Sequence, residues 1–135
     1  MDPEIKAEWI KRLSSGKYIQ HQCGLRDFNK FCVLGVLVDM AVEAGIGTWE
    51  RKKFSTFQFV SIDGKEVEHL GLAPAVLKYC KMPLGDSLEG VLPITKEMLP
   101  FRKGYANLAQ LNDYDSWPQK HYSFTILASI IERDL

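Results

Sequence analysis

At 135 residues, 46% hydrophobic and 25% charged, the chain has the makeup of one ordinary globular α+β domain spanning 1–135. Seventeen Lys and Arg offset seventeen Asp and Glu, so the basic excess of a general nucleic-acid binder is missing, although room remains for a local patch. No apolar run approaches the ~20 residues a bilayer-spanning helix needs, and the acidic start Met1-Asp2-Pro3-Glu4 has no apolar segment behind it, unlike a secretory leader.

Asp2 is a natural helix N-cap and Pro3 suits the first helical position. Ile5, Trp9 and Leu13 then recur every four residues on one helix face, with Lys6, Lys11 and Arg12 on the other. Ser14-Ser15-Gly16 closes this helix, Gly16 being suited to a left-handed cap. Residues 17–31 read as an extended pair, with Arg26-Asp27-Phe28-Asn29-Lys30 as a turn. From Phe31 to Ala44 the chain is almost wholly apolar. Its length favours a buried helix over a strand, with Asp39 and Glu43 forming one solvated stripe and Gly45 and Gly47 ending it. This is the centre of the expected core.

Phe54–Ile62, rich in aromatic and β-branched residues, reads as a strand. Asp63-Gly64 predicts a type I′ hairpin turn, with Lys65–Leu70 as the returning strand. Pro74 opens a short helix to about Met82, which Pro83 stops. Residues 83–103 are irregular, with a short strand near Val91-Leu92 and a helical turn at Thr95–Leu99. Tyr105, Leu108 and Leu111 mark a helix ending at Asn112-Asp113. Ser123 caps the last helix, whose stripe is Phe124, Leu127, Ile130 and Ile131. The sum is a compact α+β domain: about four helices around a central buried apolar helix, with a small antiparallel sheet.

Several of these segments together resemble a family of small uncharacterised proteins of tailed phages and prophages. The carriers are Trp9, Leu13, Gly16, Tyr18 and Gln20; then Cys32, the Leu34–Leu37 run and Asp39; then Leu108, Leu111, Asn112 and Asp113; then Ser123-Phe124 leading into Ile130-Ile131-Glu132. Proteins of this kind often carry a second cysteine beside the first and another before the aspartate. Phe31 and Val38 stand there in this chain, which speaks against a metal site or a required thiol pair. The resemblance implies a phage accessory protein in the cytoplasm of an infected bacterium, and no known activity.

Three cysteines (Cys23, Cys32, Cys80) without a framework of spacings read as reduced thiols. Cys32, at the head of the apolar helix, is the nucleophile candidate, with His69 on a following strand as its partner in a thiol-hydrolase reading. The competing reading makes Cys32 a buried small hydrophobe. Metal ligands lack the paired spacing that zinc requires, and no phosphate loop, dinucleotide fingerprint or serine elbow is present; no cofactor is expected.

Polar-aromatic clusters carry the remaining chemistry. Trp49 precedes Arg51, Lys52 and Lys53 in what reads as a loop, a combination suited to stacking on a base while contacting phosphate. Phe101-Arg102-Lys103-Gly104 lies just before the Tyr105 helix, and Trp117 sits in an acidic loop. Trp49, Arg51, Lys52, Arg102, Tyr105 and Trp117 are therefore the candidate binding residues. The expectation is a non-enzymatic binding protein that inhibits a host defence protein. The first alternative is a sponge for a nucleotide-type signal, with a deep pocket at an oligomer interface lined by Trp49 or Tyr105 and by Arg51 or Arg102. The second is the Cys32/His69 hydrolase.

Overall fold

The first helix, α1 (Pro3–Ser14), forms as its punctuation predicts. The Asp2 carboxylate accepts from the amides of Glu4 (2.9 Å) and Ile5 (3.3 Å), filling two of the donors a helix start leaves open. Lys81 Nζ, 2.6 Å from that carboxylate, holds its pKa below the usual range. Trp9 and Leu13 face the core, and Gly16 takes a left-handed φ of 73° past the helix end. The structure is a computed structural model that describes residues 1–84, 108–113 and 122–135. The expected elements at Val91-Leu92 and Thr95–Leu99 lie outside the described residues.

The apolar run becomes α2 (Val33–Glu43), with Val33 to Val38, Met40 and Ala41 all buried. Val33, Val36, Val38 and Val42 are β-branched and poor helix formers. Burial therefore holds the helix rather than propensity; Leu34 and Leu37, at 0% exposure, each contribute about 1.5–3 kcal/mol relative to an exposed side chain. Gly35 lets the helix lie directly on the chain before it, since a Cβ there would sit 1.9 Å from the Leu25 carbonyl oxygen.

Six strands form one sheet: β1 (Ile19–Gln20), β2 (Arg26–Asp27), β3 (Lys30–Phe31), β4 (Gly47–Lys53), β5 (Thr56–Ser61) and β6 (Val67–Glu68). Their order is β1-β3-β2-β5-β4, with β6 also pairing β5. Buried Phe59 and Gly47 face the apolar layer under the sheet. Three short elements complete the described residues: α3 (Pro74–Tyr79), α4 (Leu108–Asp113) and α5 (Phe124–Asp134). Ser123 Oγ accepts from the Ile126 amide to cap α5, which buries Phe124, Leu127, Ile130 and Ile131. Lys6 Nζ reaches the Glu132 carbonyl at 3.1 Å, tying α1 to α5. The architecture is α+β around one buried helix, as the sequence predicts.

Several expectations change. Residues 48–53 are strand β4, not a loop: they pair β5 from Gly47↔Ser61 to Lys53↔Thr56. Their polar sequence suits a sheet edge, where charged residues hide no strand alternation that a sequence reading would catch. Gly47 begins that strand instead of ending the helix. The Asp63-Gly64 turn is not type I′, because only Gly64 has positive φ. Asp63 Oδ1 instead accepts from Ser61 Oγ (2.6 Å) and the Lys65 amide (3.0 Å), the self-bonding turn chemistry of aspartate. The sheet is also mixed, since β1 runs parallel to β3: the intervening β2 reverses the chain before β3 reverses it again.

Candidate functional site

Three of the segments that carry the phage-protein resemblance, Trp9 to Gln20, Cys32 to Leu37 and Leu108 to Asp113, meet at the start of α2. The Asn112 side chain, with 0% exposure, sits at their centre. Its oxygen accepts from the Val33 amide (3.2 Å) and Gln20 Nε2 (3.0 Å), while its nitrogen donates to the His21 carbonyl (2.7 Å) and Asp113 Oδ1 (2.8 Å). Asp113 Oδ1 also takes the Cys23 amide at 2.9 Å. Trp9 Nε1 donates to the Val33 carbonyl at 3.1 Å. Cys32 is the N-cap, its sulfur accepting from the Gly35 amide at 3.3 Å. A helix that begins without Ser, Thr, Asp or Asn thus borrows a capping oxygen from a side chain 79 positions away.

Cys32 is only 4% exposed, and burial pushes its thiol up to about 12. A nucleophilic cysteine needs the opposite shift. His69 is turned elsewhere: its Nε2 lies 2.8 Å from Lys52 Nζ, and no hydrogen bond joins it to Cys32. Among the described residues no cluster of three or more His, Cys, Asp or Glu is arranged to hold a metal.

Asp39 is a junction as well, not a member of a simple solvated stripe. Trp49 Nε1 donates to its Oδ1 (2.8 Å) and Tyr18 OH to its Oδ2 (2.7 Å). Burial, and then this bond to Asp39, push the Tyr18 phenol up to about 12. Arg12 joins the same corner, bonding Glu43 (2.7 Å), Glu8 (2.9 Å) and Tyr18 OH (3.3 Å). An open cavity of about 300 Å³ lies beside it, lined by Glu8, Arg12, Lys17, Tyr18 and Glu43 among others. The guanidinium is already bonded in three directions.

The cation beside the Trp49 indole is Arg26, not the Arg51–Lys53 run. In register opposite both Phe31 and Phe57, Arg26 lies 4.2 Å from the Phe57 ring centre, 5.2 Å from Phe31 and 5.4 Å from Trp49. Trp49 thus has its N–H held and a cation over its ring, and it packs partly buried against the core. Arg51 and Lys52 are exposed on β4, Arg51 lying 6.0 Å over Phe57. Arg102, Tyr105 and Trp117 lie outside the described residues.

The least expected feature is at the sheet's end. The β2–β3 and β4–β5 loops are each two residues, Phe28-Asn29 and Phe54-Ser55. Both phenylalanines have left-handed φ, 50° and 49°, at a place hairpins ordinarily give to Gly, Asn or Asp. Both rings are in solvent, at 62% and 83% exposure. The Phe28 amide donates to the Ser55 carbonyl at 2.7 Å, so the two turns form one tip. Lys53 Nζ lies 5.4 Å over the Phe54 ring, and Lys30, Arg51 and Lys52 are exposed on the adjoining strands. Phe28 falls within the predicted Arg26–Lys30 turn, but Phe54 is expected inside a strand, and nothing local in the sequence shows that the two turns adjoin.

These features define an α+β protein whose internal polar groups cap and brace the fold, and whose exposed aromatic and basic groups gather at one end of its sheet. The chain belongs to the family described as a domain of unknown function, DUF8296, whose model matches residues 1–135. No curated protein and no solved structure matches it. Among the described residues, no helix is long and apolar enough to cross a membrane.

Proposed function

We propose that this protein acts by binding, covering a surface of a partner protein with the Phe28/Phe54 tip and the basic residues Arg51, Lys52 and Lys53 beside it. The carrying observation is two exposed aromatic rings on adjoining turns, each held in a backbone conformation that disfavours it. A left-handed residue with a side chain costs about 1–2 kcal/mol, and an exposed ring returns little of that through burial. Such strain collects where a surface has a task. Aromatic anchors with a charged rim are the usual composition of a protein-binding patch. Together with the resemblance to small proteins of tailed phages, the reading is of an accessory protein that occupies a host protein, a defence component being the expected target. Trp49 braces β4 against α2 through its bond to Asp39, and Arg51 and Lys52 belong to the contact itself.

The experiment is affinity purification of the tagged chain from a bacterial host, compared with a variant carrying Phe28→Asn and Phe54→Asn. Asparagine tolerates the left-handed region, so the variant is expected to unfold no more easily than the parent. The parent retains one host protein in stoichiometric amount and the variant loses it. Recovery of the same protein by both, or of none by the parent, overturns the reading.

A further inference from the structure

Strand β4 ends the sheet, pairing β5 on one side only, while β2 and β6 share the far side of β5. No strand pairs its other edge among the described residues. Seven residues is ample for a further strand to pair with, and an open edge offers its backbone N–H and C=O groups as a template. This edge is exposed at Thr48 and from Glu50 to Lys53. It carries one carboxylate against three cations, and Phe54 stands at its end. Lys53 is held beside the edge, over the Phe54 ring, whereas Lys52 reaches across β5 to His69 at 2.8 Å.

We propose that β4 accepts an extended acidic segment of the partner protein as an added strand. The inference rests on the partner-binding reading above and names the chemistry of the contact. Backbone hydrogen bonds supply affinity in this mode and side chains at alternate positions supply selectivity. Carboxylates of the incoming strand meet Arg51 and Lys53, and an apolar residue at its end meets the Phe54 ring. Charge selects against a second copy of this chain: two β4 edges would each bring Arg51 and Lys53 to a common seam, and like charges facing each other across strands repel. The same cations guard the edge against indiscriminate pairing. Acidic strands are the class they admit.

The test begins with the whole chain as bait for a displayed library of random peptides about ten residues long, the upper range of strand length. Selected peptides are expected to be rich in Asp and Glu. The best one, added in excess, slows amide exchange by about tenfold or more within residues 47–53 and not elsewhere. The double variant Arg51→Glu, Lys53→Glu weakens that peptide by at least about tenfold. Enrichment of neutral or basic peptides, no enrichment, or protection at another place overturns the proposal and leaves the lysines as edge guards only. The two readings fail separately. If R51E/K53E still retains the host protein while F28N/F54N loses it, the added strand and the basic rim fall together, and partner binding through the Phe28/Phe54 tip stands. If F28N/F54N retains it, the binding surface itself is wrong.

Discussion

Replacing Asn112 with alanine deletes four hydrogen bonds from a side chain with no solvent exposure. Two of the four former partners have another partner: Gln20 Nε2 still reaches the Tyr122 carbonyl at 2.7 Å, and Asp113 still holds the Cys23 amide. The Val33 amide and the His21 carbonyl lose their side-chain partner. Leaving such groups unpaired costs about 1–3 kcal/mol each, so the variant should lose about 2–6 kcal/mol before any cavity term. Against a total stability of ~5–15 kcal/mol, that is a large share. Asn112→Asp sharpens the logic: it keeps the oxygen facing Val33, loses both donated bonds and sets a second carboxylate against Asp113. It should be at least as damaging as alanine near neutral pH and recover part of its loss in acid, as protonation removes the repulsion and restores a donor. Urea unfolding followed by far-ultraviolet circular dichroism and by tryptophan fluorescence measures both. An alanine variant within about 1 kcal/mol of the parent would refute the account of how α2 is capped.

Gly35→Ala should destabilise by at least about 2 kcal/mol, because a clash with backbone oxygen outweighs the ~1 kcal/mol that alanine gains over glycine in a helix. Its built Cβ lies 1.9 Å from the Leu25 carbonyl oxygen, and equal or higher stability in the same urea assay would contradict that packing. Thiol titration with Ellman's reagent in native buffer should find one fast group, the exposed Cys23, with buried Cys32 and Cys80 reacting only on unfolding; burial raises both of those thiols to about 12. Rapid alkylation of Cys32 in the folded chain would instead revive the hydrolase alternative.

The helices were legible because their signals are local. Asp2 with Pro3, Ser123 before Phe124, and the spacing of Trp9 and Leu13 each act within a turn or two of chain. The apolar run from Phe31 announced its own burial. Strand β4 was missed because an edge strand exposed to water shows no apolar alternation. Helical spacing alone puts Asp39 on a solvated stripe, since the Trp49 and Tyr18 groups that bond it come from other elements. Along the chain the cations nearest Trp49 are Arg51 to Lys53, whereas sheet register brings Arg26 from β2 to that indole.

Taken alone, the order of residues determined which segments would bury, where helices start and stop, and that one apolar helix would anchor the whole, since these follow from side-chain hydrophobicity and from backbone preferences over a few residues. Only the tertiary structure decided which side chain caps that helix, which cation covers the tryptophan, and that two phenylalanines on separate hairpins form a single exposed tip. Those contacts join positions far apart in sequence, and strand pairing fixes them through backbone hydrogen bonds that every residue type but proline can make.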